Sequence, residues 1–124
     1  NVLRDIQEDL SRNRIYLPTE ELTKFGITEE DLKSGKLSSS VGWQEFMRHY
    51  LDHVMAHRKN ALGLLSLLDK DARYSPSLMC AAYDAILEEA MKRNGDVFTR
   101  RLTMSFYRKL QFALGIIRKP RLNL

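Results

Sequence analysis

Residues 42–68 read GWQEFMRHYLDHVMAHRKNALGLLSLL. Trp43, Met47, Tyr50, Val54, Ala61, Leu65 and Leu68 recur at three- and four-residue steps. With 3.6 residues to a turn, that spacing lines them along one side of an α-helix. The spacing predicts one long amphipathic helix over 42–68, whose apolar stripe needs other helices to cover it. The same signature continues on both sides. Upstream, residues 1–12 read as a helix, and PTEELTKFG (18–26) as a short one closed by Gly26. TEEDLKSG (28–35) opens with Thr28 as N-cap and Asp31 three residues on, a loose capping box. KLSSSVG (36–42) is a loop of small polar residues. Downstream, Ser75 and Pro76 start a helix with Met79, Ala82, Tyr83, Ile86 and Ala90 on its stripe, ending near the RNG at 93–95. A last helix is expected over about 103–118. The three prolines, at 18, 76 and 120, can all sit outside helix interiors. No stretch alternates like a strand, and no repeat or low-complexity linker divides the chain. The class is all-α, with Leu3, Ile6, Val54, Leu65, Ile86 and Leu110 expected in the core.

Composition bounds the function. At 124 residues the chain is one domain or part of one, and 44% hydrophobic with 29% charged is enough apolar material for a core. The single cysteine, Cys80, excludes an internal disulfide. No run approaches the roughly 18 apolar residues of a membrane span. The first residues carry acids and no apolar stretch, unlike a secretory signal, and there is no initiator methionine. The expectation is a piece of a longer protein.

The opening stretch, NVLRDIQEDLSRNRIYLP (1–18), carries the chemistry. On a helix Asn1, Asp5, Glu8 and Asp9 cover one arc, beside an apolar arc of Val2, Leu3, Ile6 and Leu10. Like charges four residues apart repel. Arg4 can reach Glu8, but Asp5 and Asp9 find no close base within the helix. Two readings stay open on spacing alone. One is a solvated acidic face. The other is a site for a hard cation such as Mg²⁺, held by one or two carboxylates together with substrate phosphates.

The same stretch resembles the second aspartate-rich motif of the squalene and phytoene synthase family, through Asn1, Arg4-Asp5, Glu8-Asp9 and the ending Arg14, Tyr16, Pro18. A second block, residues 83–114, resembles the family's C-terminal stretch through Tyr83, Ile86-Leu87, Asp96-Val97-Phe98, Arg100 and Arg108-Lys109-Leu110. The resemblance implies that residues 1–124 are the C-terminal portion of a single class I isoprenoid-synthase helical bundle, without the half that bears the first aspartate-rich motif. It implies a Mg²⁺-dependent prenyltransferase that condenses two farnesyl or geranylgeranyl diphosphates head to head. The metal bridges carboxylates and diphosphate and helps the leaving group depart as an allylic cation forms. Asp5 and Asp9 would be the metal ligands, with Asn1 and Glu8 supporting them. Arg4, Arg14 and Arg100 would contact diphosphate oxygens. Tyr16 and Tyr83 would line a cavity in which aromatic faces stabilise the cation. Asp5, Asp9, Arg14, Tyr83 and Arg100 are expected to converge on that cavity. NADPH would be needed only for a squalene-type product. A relative that lets water capture the cation would instead be a prenyl diphosphate phosphatase, and a third class is a non-enzymatic scaffold.

Two further patterns compete for attention. His49, His53 and His57 repeat every four residues, a spacing that can chelate Zn²⁺ or Ni²⁺. No HExxH pattern or obvious further ligand accompanies them, and the resemblance gives them no role. From Lys92 to Arg121 there are nine basic residues and one acid, Asp96. No nucleic-acid motif accompanies that charge. A solvated face accounts for it, and peripheral contact with an anionic membrane is the functional alternative, with a cytoplasmic location expected.

Overall fold

The computed structural model describes residues 1–114, with the backbone alone at 112 and 113. Among the described residues six α-helices follow in order: α1 (Val2–Ser11), α2 (Thr19–Lys24), α3 (Glu29–Ser34), α4 (Val41–Leu64), α5 (Tyr74–Lys92) and α6 (Phe106–Ala113). No strand occurs among the described residues, so the chain is all-α as its periodicity requires.

The helix ends follow from local chemistry. Thr28 and Asp31 close a reciprocal capping box on α3: the Asp31 N–H donates to the Thr28 hydroxyl (3.1 Å) and the Thr28 N–H to the Asp31 carboxylate (2.9 Å). The small-polar loop winds into a 3₁₀ turn at Leu37–Ser39, and Ser40 then caps α4 by accepting the Trp43 N–H at 3.1 Å. Pro76 falls in the first turn of α5, where its missing N–H leaves no helical bond unmade. Helices α1, α2 and α5 end alike, with two N–H groups turned back onto the last carbonyls. At α1 the Asn13 N–H reaches Leu10 O (2.9 Å) and the Arg14 N–H reaches Asp9 O (2.8 Å), with Asn13 left-handed at φ 55°.

The first half of α4 is the centre of the molecule. Trp43, Phe46, Met47 and Leu51 are buried, and around them lie Leu3 and Ile6 of α1, Leu22, Leu32, Ala90 and the Val97, Phe98 and Leu102 that follow α5. Trp43 packs with tilted rings against Phe98 at 4.9 Å and Phe46 at 5.5 Å, between ring centroids. Leu3 and Ile6 are in the core as expected, and Ile86 packs against it half-buried.

Four expectations need correction. The long helix ends at Leu64 and tightens into a 3₁₀ turn at Leu65–Leu67 instead of running to 68. Beyond Leu51 no residue of α4 is buried, so Val54 and Leu65 are only partly covered. The buried face of α5 is Ala81, Asp84, Ala85 and Ala90, turned away from Met79 and Tyr83, which are exposed. The cause is Arg58 of α4, whose guanidinium grips the Asp84 carboxylate from two nitrogens (Nη2 to Oδ2, 2.7 Å) and sets the rotation of α5. Helix α6 starts at Phe106, three residues late, and holds Leu110 exposed, while its Arg108 ties it to Glu88 of α5 by an ion pair (2.7 Å). The expected end of that helix at 118 and Pro120 lie outside the described residues.

Candidate active site

Helix α1 turns Leu3 and Ile6 into the core, and of its residues Arg4 lines a cleft along α5. The Arg4 guanidinium does not reach for Glu8. It lies flat on Asp5, with Nε at 3.0 Å and Nη2 at 2.7 Å from the two carboxylate oxygens. A second guanidinium, that of Arg101, also bonds Asp5 and stands 3.5 Å from Glu8. The Arg4 hydrogen bonds, with Arg101 behind them, hold the Asp5 carboxyl down at about 2. Glu8 is paired with Arg12 at 2.8 Å. Asp9 is half-buried and has no ion pair among the described residues. The repulsion along the arc is thus relieved by guanidinium groups, one of them 96 residues away in the chain.

The cleft itself has a volume of about 540 Å³ and runs between α1, α5 and the segment after α5. Arg4, Tyr83, Arg101 and Lys109 give it polar groups, and Met79, Ile86 and Met104 an apolar wall. The Asn1 side-chain amide donates to the Tyr83 hydroxyl at 3.1 Å, so the first residue of the arc meets the ring on α5. Three cations and an aromatic residue beside a carboxylate helix suit a polyanionic headgroup with an apolar tail.

The structure therefore brings Asn1, Arg4, Asp5 and Tyr83 together, with Glu8 at the edge through Arg101. It does not bring all the expected residues to one cavity. Asp9, Arg14 and Tyr16 line a small separate crevice with Ile6 and Leu32, and Arg14 and Tyr16 are exposed. Arg100 points elsewhere: its side chain is 75% exposed and 3.8 Å from Glu89. Its neighbour Arg101, which the sequence reading passed over, is the arginine at the arc. Lys109, one of the residues that carry the resemblance, is the third cation of the cleft. Asp84 with Arg58 was also missed, and its one signal was an acid inside an apolar helix.

Of the basic stretch, Arg118, Lys119 and Arg121 lie outside the described residues, and its described arginines are paired with acids. Arg93 pairs with Glu89 (2.6 Å), Arg108 with Glu88, and Arg101 with Asp5. The histidines lie on the exposed side of α4, with His53 Nε2 and His57 Nε2 at 3.1 Å and His49 3.9 Å from Glu21. Among the described residues no three His, Cys, Asp or Glu side chains converge as a self-sufficient metal cage, and no helix is long and apolar enough to cross a membrane.

The family model for squalene/phytoene synthase matches residues 1–108. A 15-cis-phytoene synthase of Synechococcus elongatus is 37% identical over 110 residues, which is 89% of this chain and 35% of that protein. The 15-cis-phytoene synthase of Synechocystis sp. is 33% identical over 112 residues, 90% of this chain and 33% of its own. A chloroplastic phytoene synthase of an Oncidium hybrid cultivar is 31% identical over 110 residues and is covered to 26%. The chain thus spans about a third or less of the length of these relatives. No solved structure matches it. The match runs from the acidic arc of α1 through the cleft to the start of α6, and the chain belongs to the squalene/phytoene synthase family.

Proposed function

We propose that this chain is the C-terminal portion of an isoprenoid-synthase domain whose full-length protein condenses two farnesyl or geranylgeranyl diphosphates head to head. The observation that carries the reading is Asp5, ionised far below neutral pH, set under Arg4 and Arg101 at the mouth of a cleft with an apolar wall. Family membership and the phytoene synthase names of the relatives support it. The exposed apolar residues at the end of α4, in the 3₁₀ turn after it and on α6, such as Leu64, Leu67 and Phe106, suit a surface that the rest of a bundle would cover.

The donor set fits Mg²⁺. All the side chains on the arc offer oxygen, and Mg²⁺ is commonly held by one or two carboxylates with substrate phosphate completing its coordination, so no closed protein cage is required. Asp5 would hold it together with Asp9, which lines the separate crevice here and would share the ion only with rearrangement, and with Asn1 and Glu8 beside them. When bound, such an ion would supply positive charge against the diphosphate leaving group. Because Asp5 is already ionised, no proton has to be displaced from it first. Arg4 and Arg101 offer planar N–H forks to the diphosphate oxygens, and Lys109 adds a point charge. Arg14 and Arg100 belong to the same reading as further diphosphate contacts, and Tyr16 as a cavity residue, reached only with rearrangement from their present exposed positions. Met79, Ile86 and Met104 would pack against the carbon chain, and Tyr83, tied by Asn1, would offer a developing cation an aromatic neighbour. NADPH enters only if the product is squalene. Release of an apolar product is consistent with peripheral contact with an anionic membrane.

The test is turnover of farnesyl and geranylgeranyl diphosphate by the full-length protein against Mg²⁺ concentration, for wild type, Asp5→Asn and Asp9→Asn. Each substitution is expected to lower turnover on the order of 10²-fold or more, with folding retained. Normal turnover of both variants at limiting Mg²⁺ refutes the reading. Product analysis separates the classes: a coupled C30 or C40 hydrocarbon supports a synthase, and a prenyl alcohol alone means a phosphatase.

A further inference from the structure

Residues 95–101 leave α5 without regular structure, yet side chains from four places hold their backbone. The Trp43 indole N–H donates to Gly95 O at 2.8 Å. The Gln7 amide of α1 donates to Phe98 O. Arg93 donates to Arg100 O at 2.8 Å. Asp96 works from inside: one of its oxygens, Oδ1, accepts the N–H groups of Phe98 (3.1 Å) and Thr99 (3.0 Å) and also the Ser38 hydroxyl (2.6 Å). Val97, Phe98 and Leu102 are buried, which anchors the segment at both ends. All this fixation serves a stretch that buries little of itself between those anchors. What it does carry is Arg101, whose side chain is 53% exposed and would otherwise have many rotamers to lose before it could sit on Asp5.

We propose that Asp96 is a positioning residue: by pinning the 95–101 segment to Ser38 and to its own N–H groups, it holds the Arg101 guanidinium across Asp5 and Glu8. Gln7 shares the task from the opposite side, since it ties the segment to the helix that bears the acidic arc. Partial burial opposes the charge of Asp96, but the Ser38 hydroxyl and the Thr99 and Phe98 N–H groups hold its carboxyl down at about 2, so the clamp is fully charged at neutral pH. The proposal rests on Arg101 as the arginine that meets diphosphate.

The experiment uses the full-length protein and two readouts. The first is ¹⁵N relaxation of the Arg101 guanidinium in wild type, Asp96→Ala and Asp96→Asn. Order at Arg101 is expected to fall in Asp96→Ala, with a cooperative melt retained, and to be largely kept in Asp96→Asn, which still has an acceptor oxygen. The second is a double-mutant cycle on turnover. Asp96→Ala should lower kcat about tenfold when Arg101 is present and less than twofold in an Arg101→Ala background. A local structural role alone predicts equal factors in both backgrounds. Unchanged order at Arg101 in folded Asp96→Ala, or equal factors, overturns the proposal. If Asp96→Ala does not fold, Gln7→Ala, which cuts only the α1 tie, is read by the same criteria. If the wild type turns over no prenyl diphosphate, the functional reading fails, and the relaxation result still decides the positioning role.

Discussion

Arg100 and Arg101 are identical neighbours with opposite surroundings. The first extends toward solvent beside Glu89, and the second crosses to α1 and bonds Asp5. An arginine placed where charge develops is worth far more than one in water, because nothing has to reorganise around it. Arg101→Ala is therefore expected to lower turnover by the full-length protein on the order of 10²-fold, and Arg100→Ala by no more than a few-fold. Steady-state kcat and KM on prenyl diphosphate would check the pair, and the reverse ranking would return the role to Arg100. The acidic arc itself was legible, because a helix converts the spacing of Asn1, Asp5, Glu8 and Asp9 into geometry. Which of two adjacent arginines turns inward was not. They lie in irregular backbone, where no period relates position to direction. The Arg58–Asp84 pair was illegible for a related reason. Its members are 26 residues apart on two helices, and nothing local joins them.

Elements were legible where caps or unbroken periodicity marked them, and less so where packing decided. The capping box of α3 and the apolar face of α1 follow from sequence, whereas the α4 stripe holds only as far as Leu51 and the buried face of α5 is set by its pairing with Arg58. The end of α5 turns on Gly95. Its φ is +77°, and a Cβ there would stand 2.8 Å from the Met47 side chain. Gly95→Ala combines a left-handed backbone with overpacking against a buried residue, for about 2–4 kcal/mol of destabilisation. Urea midpoints would measure this, and a loss under 1 kcal/mol would show that α5 and Met47 yield. The segment beyond Gly95 makes an acid prediction. Asp96 titrates near 2 in the fold against a usual 3.8, so the folded state holds its proton less tightly than the unfolded chain. Its contribution to stability is complete above pH 4 and is lost as pH falls toward 2. Asp96→Asn should be less stable than wild type at pH 7 and show a shallower loss between pH 4 and 2. Parallel slopes for the two proteins in that window would refute the clamp's charge.

At the scale of the molecule, the core is gathered at one end of α4, and the other end carries exposed apolar residues. Leu64, Leu67, Phe106 and Tyr107 are each 60% exposed or more. Such surface binds hydrophobic dyes or associates unless something covers it. The 124-residue chain by itself is expected to bind such a dye strongly and to turn over no prenyl diphosphate, and co-expression with the upstream portion of a family member should lower the dye signal. Weak dye binding by the chain alone would mean that this surface is already satisfied. One feature of the fold also bears on how the molecule ages. Asn94 and Gly95 form the sequence most prone to spontaneous deamidation, which begins when the glycine nitrogen attacks the asparagine side chain. Here that nitrogen is buried and its N–H is committed to Ala90 O at 2.9 Å, with Asn94 fixed in a left-handed turn. The reaction must wait for the end of α5 to open, at a rate set by the population of that opening. Isoaspartate at residue 94 would therefore accumulate as a chemical record of how often this turn, and the arginine-bearing segment beyond it, has come undone.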